Sequence, residues 1–101
     1  MLAMFSTFPV DKGESLSAEV ARVIQLVDSS GLKYQTTAMG TLIEGNWDEV
    51  MHLIRRCHDL LRQTSRRVYT RISIDDREGA ADQLISKVAS IESKLGRGIR
   101  K

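Results

Sequence analysis

The chain has 101 residues, 42% hydrophobic and 28% charged, which is apolar material for one core and not for two. This balance excludes a disordered, low-complexity chain, and a formal charge of +2 is too small to imply a nucleic-acid or membrane partner. The single Cys57 excludes an intramolecular disulfide, and no apolar run reaches the ~20 residues that span a bilayer, so a cytoplasmic protein is expected.

The amino terminus, Met1-Leu-Ala-Met-Phe-Ser-Thr-Phe, is apolar but has no basic leading region and no small-residue cleavage site. It reads as a strand over residues 2–8 that ends at Pro9, which lacks a ladder donor. Turn residues 11–14 follow, and Ser15 or Ser17 can cap a helix whose apolar positions Leu16, Val20, Val23, Ile24 and Val27 recur at helical spacing. Gly31 supplies its left-handed stop.

From Leu32 to Ala38 the period changes to two, and Met39-Gly40 predicts a tight turn into a third strand, Thr41 to Gly45. The two strands form an antiparallel hairpin. Asn46 with Glu49 three residues on is a capping-box signature, so a second helix begins at Trp47. Its stripe collects Val50, Leu53, Ile54, Cys57, Leu60 and Leu61. Strict alternation over 67–74 predicts the fourth strand, and Leu84, Ile85, Val88, Ile91 and Leu95 predict a third helix over about 80–94, stopped by Gly96. Residues 97–101 carry no core pattern and read as a frayed tail.

The order is β-α-β-β-α-β with an added C-terminal helix. It predicts an α+β, ferredoxin-like sandwich: a single domain over 1–101 with an antiparallel four-stranded sheet and helices on one face. The opposite face then lacks a cover, and its apolar residues call for a partner subunit.

No phosphate loop, paired-cysteine metal site or nucleophile elbow is present, which argues against an enzyme. His52 and His58 stand six positions apart, about 240° around one helix, and cannot share a metal from it. They read as surface or boundary residues, and Cys57, on an apolar stripe, reads as a packing thiol. Arg55, Arg56, Arg62, Arg66, Arg67, Arg71 and Arg77 could attract phosphate or RNA, but the fourth strand offers only Tyr69 as a stacking platform. A solvated face with pairing to Asp48, Asp59, Asp75 and Asp76 is the preferred reading.

The hairpin is the unusual segment, because Gln35, Thr36, Thr37, Thr41 and Glu44 put polar side chains where mid-sheet strands are expected. A partly buried Glu44 needs a partner, either an arginine of a neighbouring chain or a ligand.

Three stretches together resemble a known family. They are the spacing Tyr-Gln-Thr-x-x-Met-Gly-Thr-x-x-Glu-Gly over 34–45, the run Arg-Val-Tyr-Thr-Arg-Ile-Ser-Ile-Asp-Asp-Arg over 67–77, and the late helix Lys-Val-Ala-Ser-Ile-Glu-Ser-Lys-Leu. The family is the MTH1187/YkoF-like thiamine-binding proteins, formerly a domain of unknown function. The resemblance implies a non-enzymatic subunit without cofactor or metal that forms a homodimer or homotetramer through sheet faces or edges. It implies binding of thiamine or its hydroxymethylpyrimidine portion near the hairpin and the subunit interface. Carried over by position, the ligand contacts are Thr37, Met39, Thr41 and Glu44, with Ser6 on the first strand, whose family match is loose. Arg67, Asp75, Asp76 and Arg77 match the pattern too, but salt bridges at the end of the fourth strand and capping of the third helix suit them better. The competing reading is a structural protein whose hairpin polar groups serve only assembly. A small enzyme with Glu44 or His58 as general base is least supported.

Overall fold

Side-chain packing of two amphipathic helices on one strand-rich layer builds the molecule. The computed structural model describes residues 1–11, 16–79 and 82–99. In chain order the elements are β1 (Leu2–Pro9), α1 (Ser17–Ser29), β2 (Lys33–Thr36), β3 (Thr41–Glu44), α2 (Trp47–Arg62), β4 (Val68–Asp75) and α3 (Gln83–Leu95). The strands form one antiparallel sheet in the order β2-β3-β1-β4, so the α+β arrangement expected from the sequence is the one adopted.

Helix α2 starts where its chemistry dictates. The Asn46 side chain accepts from the Glu49 amide at 2.9 Å while the Glu49 carboxylate accepts from the Asn46 amide at 2.8 Å, satisfying two donors that a helix start leaves free. Val50, Leu53, Ile54, Cys57 and Leu61 fall on one stripe and are all buried, against Ala3 and Phe5 of β1 and Ile43 of β3. Helix α1 adds only Val23 and Val27, one turn apart in its second half. Leu16 stands at its N-cap without a side-chain cap, Ser17 is already helical, and Ser15, the other expected cap, lies outside the described residues. Gly31 and Gly96 take positive φ, 80° and 70°, after the ends of α1 and α3, the conformation for which glycine has no Cβ penalty.

Strand lengths differ in a way that matters below. Strand β1 pairs with β4 over all eight residues, from Leu2–Asp75 to Pro9–Val68, but with β3 only from Leu2–Glu44 to Phe5–Thr41. The hairpin is shorter than expected because Thr37 and Ala38 leave β2 for the turn. Thr37 N donates to Gly40 O at 2.8 Å, making a four-residue connection and not a two-residue one. Strand β2 is also an edge strand, so Gln35 and Thr36 are exposed and need no buried partner, unlike the mid-sheet placement expected of them.

The third helix begins at Gln83; its expected start at Ala80 lies outside the described residues. It lies over β2 and β3 on the face that carries Gln35 and Leu42, opposite α1 and α2, so the face expected to be uncovered is half covered. Met4, Tyr69 and Arg71 remain exposed on the other half. The tail is described through Ile99, whose amide donates to Glu92 at 2.9 Å; Arg100 and Lys101 lie outside the described residues. Replacing Asn46 by Ala removes an N-cap acceptor and should lower unfolding free energy by about 1 kcal/mol in denaturant titration, with the denaturant slope unchanged.

Candidate functional site

The mismatch between eight-residue β1 and the four-residue strands of the hairpin leaves a gap at one end of the sheet. A cavity of about 430 Å³ occupies it, within the size range of small-molecule sites. Its floor is β1 from Phe5 to Phe8, one wall is the hairpin turn, and the other is α1 up to its middle, through Leu16, Val20, Val23 and Ile24. Because α1 buries only its later valines, its early apolar side chains stand off the sheet and face this space. Around the β1 edge the cavity reaches the open face, where Tyr69 and Arg71 border it.

The turn is small and internally braced. Thr37 Oγ1 donates to Gly40 O at 2.7 Å and accepts from the amides of Met39 and Gly40, each at 3.2 Å. At Gly40 an added Cβ would stand 2.9 Å from the main-chain oxygen of Phe5, so only glycine lets the turn approach β1 this closely. Met39 at the tip is 83% exposed, a flexible thioether at the cavity mouth. Thr41, opposite Phe5, is buried at the inner end, and Ser6 is half-buried on the open-face side.

Four of the five residues singled out from the sequence, Ser6, Thr37, Met39 and Thr41, thus border one cavity. Glu44 does not. It lies three residues along β3, about 10 Å away at the rise of an extended chain. Its carboxylate accepts from the amides of Gln83 (2.6 Å) and Leu84 (3.4 Å) at the start of α3. The partner sought for this buried carboxylate is therefore a helix N-terminus, an electrostatically favourable place for negative charge. It also takes the capping role expected of Asp75 and Asp76, since Asp82 at the N-cap position makes no side-chain cap. Asp75 pairs instead with Lys87, which holds its carboxyl below the usual carboxylate range, and Lys33 pairs with Asp82. Of the arginines expected to pair locally, Arg55 meets Asp59 at 3.6 Å, and both are exposed.

Two contributors were not legible from the sequence. Thr7 of β1 and Thr70 of β4 face each other in the register, with Oγ1 atoms 2.6 Å apart, and His58 Nδ1 lies 2.7 Å from Thr70 Oγ1. This chain of three polar groups ties α2 to β4 and to β1 at the cavity, so His58 is a structural hydrogen-bonding residue and not a bystander. Phe8 and Tyr69, cross-strand partners with ring centroids 5.7 Å apart, form the aromatic border. Cys57 is wholly buried, and burial pushes its thiol up to about 11, only partly offset by Arg56, as befits a packing residue. Among the described residues no group of three or more His, Cys, Asp or Glu is placed to hold a metal ion.

Charge at the cavity is one-sided. Arg71 is the only charged side chain on its border, and no carboxylate joins it among the described residues.

Comparison with known proteins sets this geometry in context. The family described as thiamine-binding protein matches residues 3–92. A UPF0045 protein of Mycobacterium tuberculosis is 39% identical over 96 residues, 94% of each chain. A UPF0045 protein of Methanothermobacter thermautotrophicus is 37% identical over 83 residues, 80% of this chain and 84% of that one. The crystal structure of a hypothetical protein of Methanocaldococcus jannaschii superposes with a TM-score of 0.83 at 31% identity, covering 89% of this chain and 93% of that one. A putative thiamine biosynthesis/salvage protein of Thermotoga maritima shares the fold, with a TM-score of 0.76 at 23% identity over 89% of this chain and 96% of that one.

Replacing Glu44 by Gln keeps the side-chain volume but removes the charge at the α3 N-terminus. The expected result is a loss of about 1–2 kcal/mol in denaturant titration, with the earliest amide exchange in α3, whereas an unchanged stability would contradict the capping role.

Proposed function

Because the chain belongs to the thiamine-binding protein family, we propose that the cavity between the hairpin turn, β1 and α1 holds a small heteroaromatic ligand, thiamine or its hydroxymethylpyrimidine portion, without catalysis. One observation supports this reading above others: four residues carried over by position from the family resemblance border a single cavity of ligand size. An aminopyrimidine offers hydrogen-bond donors and acceptors at its edge and an apolar face, which suits hydroxyl and main-chain groups beside Leu16, Val20 and Phe8. Glu44, occupied at α3, is no longer part of the ligand set in this reading.

Arg71 refines the choice. A cationic thiazolium at this border meets like charge, whereas the uncharged pyrimidine portion does not. Calorimetric titration should therefore show heat with hydroxymethylpyrimidine, weaker binding of thiamine, and a gap between the two that narrows about threefold to tenfold in Arg71→Gln, as expected for one partly screened charge. No heat and no thermal shift with either compound at millimolar concentration would overturn the assignment.

Self-association belongs to the same reading. The half of the sheet face that α3 leaves open carries Met4 and Tyr69, the latter 48% exposed, and α3 itself presents Ile85, Ile91 and Leu95 outward. A second copy covering these groups would remove apolar surface from water. Light scattering should give a dimer or tetramer mass, shifted toward monomer in Tyr69→Asp; a monomer at every concentration would refute it.

A further inference from the structure

Uneven pairing of β1 leaves Thr7 with both its main-chain groups unclaimed on one side. In an antiparallel ladder, successive residues turn their N–H and C=O groups to opposite sides. Gly45 N donates to Met1 O at 3.1 Å, toward β3, and Val10 N donates to Arg67 O at 2.9 Å, toward β4. Odd-numbered residues of β1 therefore address β3 and even-numbered ones address β4. Ala3 and Phe5 meet Ile43 and Thr41 in this way. Thr7 is next on that side, and the same register would set it against position 39. There the chain has already turned: Met39 N donates back to Thr37 Oγ1, and among the described residues no strand residue stands opposite Thr7 on the β3 side.

The hydroxyl of Thr7 is committed elsewhere, to Thr70 and through it to His58. That chain anchors the residue from the β4 side while its main-chain N–H and C=O face the gap where the cavity lies. In one extended residue these two groups lie side by side, a donor next to an acceptor. Facing an open cavity, these groups have only water to pair with, and a ligand that offers the complementary groups can take that place.

We propose that the Thr7 main chain is the recognition edge of the cavity, pairing with a planar ring that carries an amine donor beside an acceptor nitrogen, in the place a further β3 residue would take. This rests on the cavity being a ligand site and deepens that reading: the pyrimidine edge is read by main chain and not by a carboxylate. Leu16 and Val20 of α1 on one side and Phe8 and Tyr69 on the other border the slot such a ring would enter.

Amide hydrogen exchange by NMR on the full chain, with and without hydroxymethylpyrimidine, tests it. In the free protein the Thr7 amide should exchange at least about 100-fold faster than that of Phe5, which is paired to Thr41, and saturating ligand should slow Thr7 by about tenfold or more with Ser6 unaffected. Protection of Thr7 equal to that of Phe5 without ligand would overturn the proposal, because the edge would already be filled. Ligand binding that leaves Thr7 exchange unchanged would overturn it while sparing the cavity assignment; absence of binding by calorimetry would remove both.

Discussion

Everything distinctive about this molecule follows from a difference in length between neighbouring strands. A strand of eight residues is paired along its whole length on one side and along half of it on the other. A longer hairpin would fill the space with side chains and main-chain bonds. The short one stops at Thr36 and Thr41, turns through four residues, and leaves a concavity at the end of the sheet. The helix beside it contributes to the same result, because its buried valines lie from its middle onward, and Leu16 and Val20 before them border the cavity. The core and the cavity are thus two ends of one layer, separated by where β3 begins.

Much of this was legible residue by residue. The capping pair Asn46 and Glu49, the stripe through Val50, Leu53, Ile54, Cys57 and Leu61, and the alternation of 67–74 are local signals, decided by neighbours within one or two turns. They appear in the structure within a residue of expectation. Sheet order is not local, and it decided what the hairpin polar residues mean. Gln35 and Thr36 looked like polar residues inside a sheet, but β2 is an edge, where such residues meet water. Thr7 gave no signal at all, since its importance comes from which strand residues do not face it. The pairing of Thr70 with His58 depends on β4 lying under α2, which no spacing in the chain encodes.

Electrostatics reassign two residues. Glu44 looked like a ligand group because a buried carboxylate must have a partner; it has one, in the first amides of α3. Arg71 looked like one member of a solvated basic run, yet among the described residues it is the charged group at the cavity border. The demand that a buried charge be satisfied was sound in the first case, but the partner came from a helix over the opposite sheet face. In the proposed reading this exchange changes the chemistry of the cavity border from anionic to cationic, and it does so without altering the fold class.

The third helix carries a consequence of its own. None of its side chains is fully buried, and it is tied down at its start by Glu44 and along its length by two ion pairs between exposed residues, Lys33 with Asp82 and Asp75 with Lys87. Such pairs are weak and salt-screened, so this helix is the element whose detachment requires least. A brief lifting of α3 would bare Leu42 and Glu44 together while leaving the α1–α2 core intact, which would turn the half of the sheet away from the cavity into a second surface.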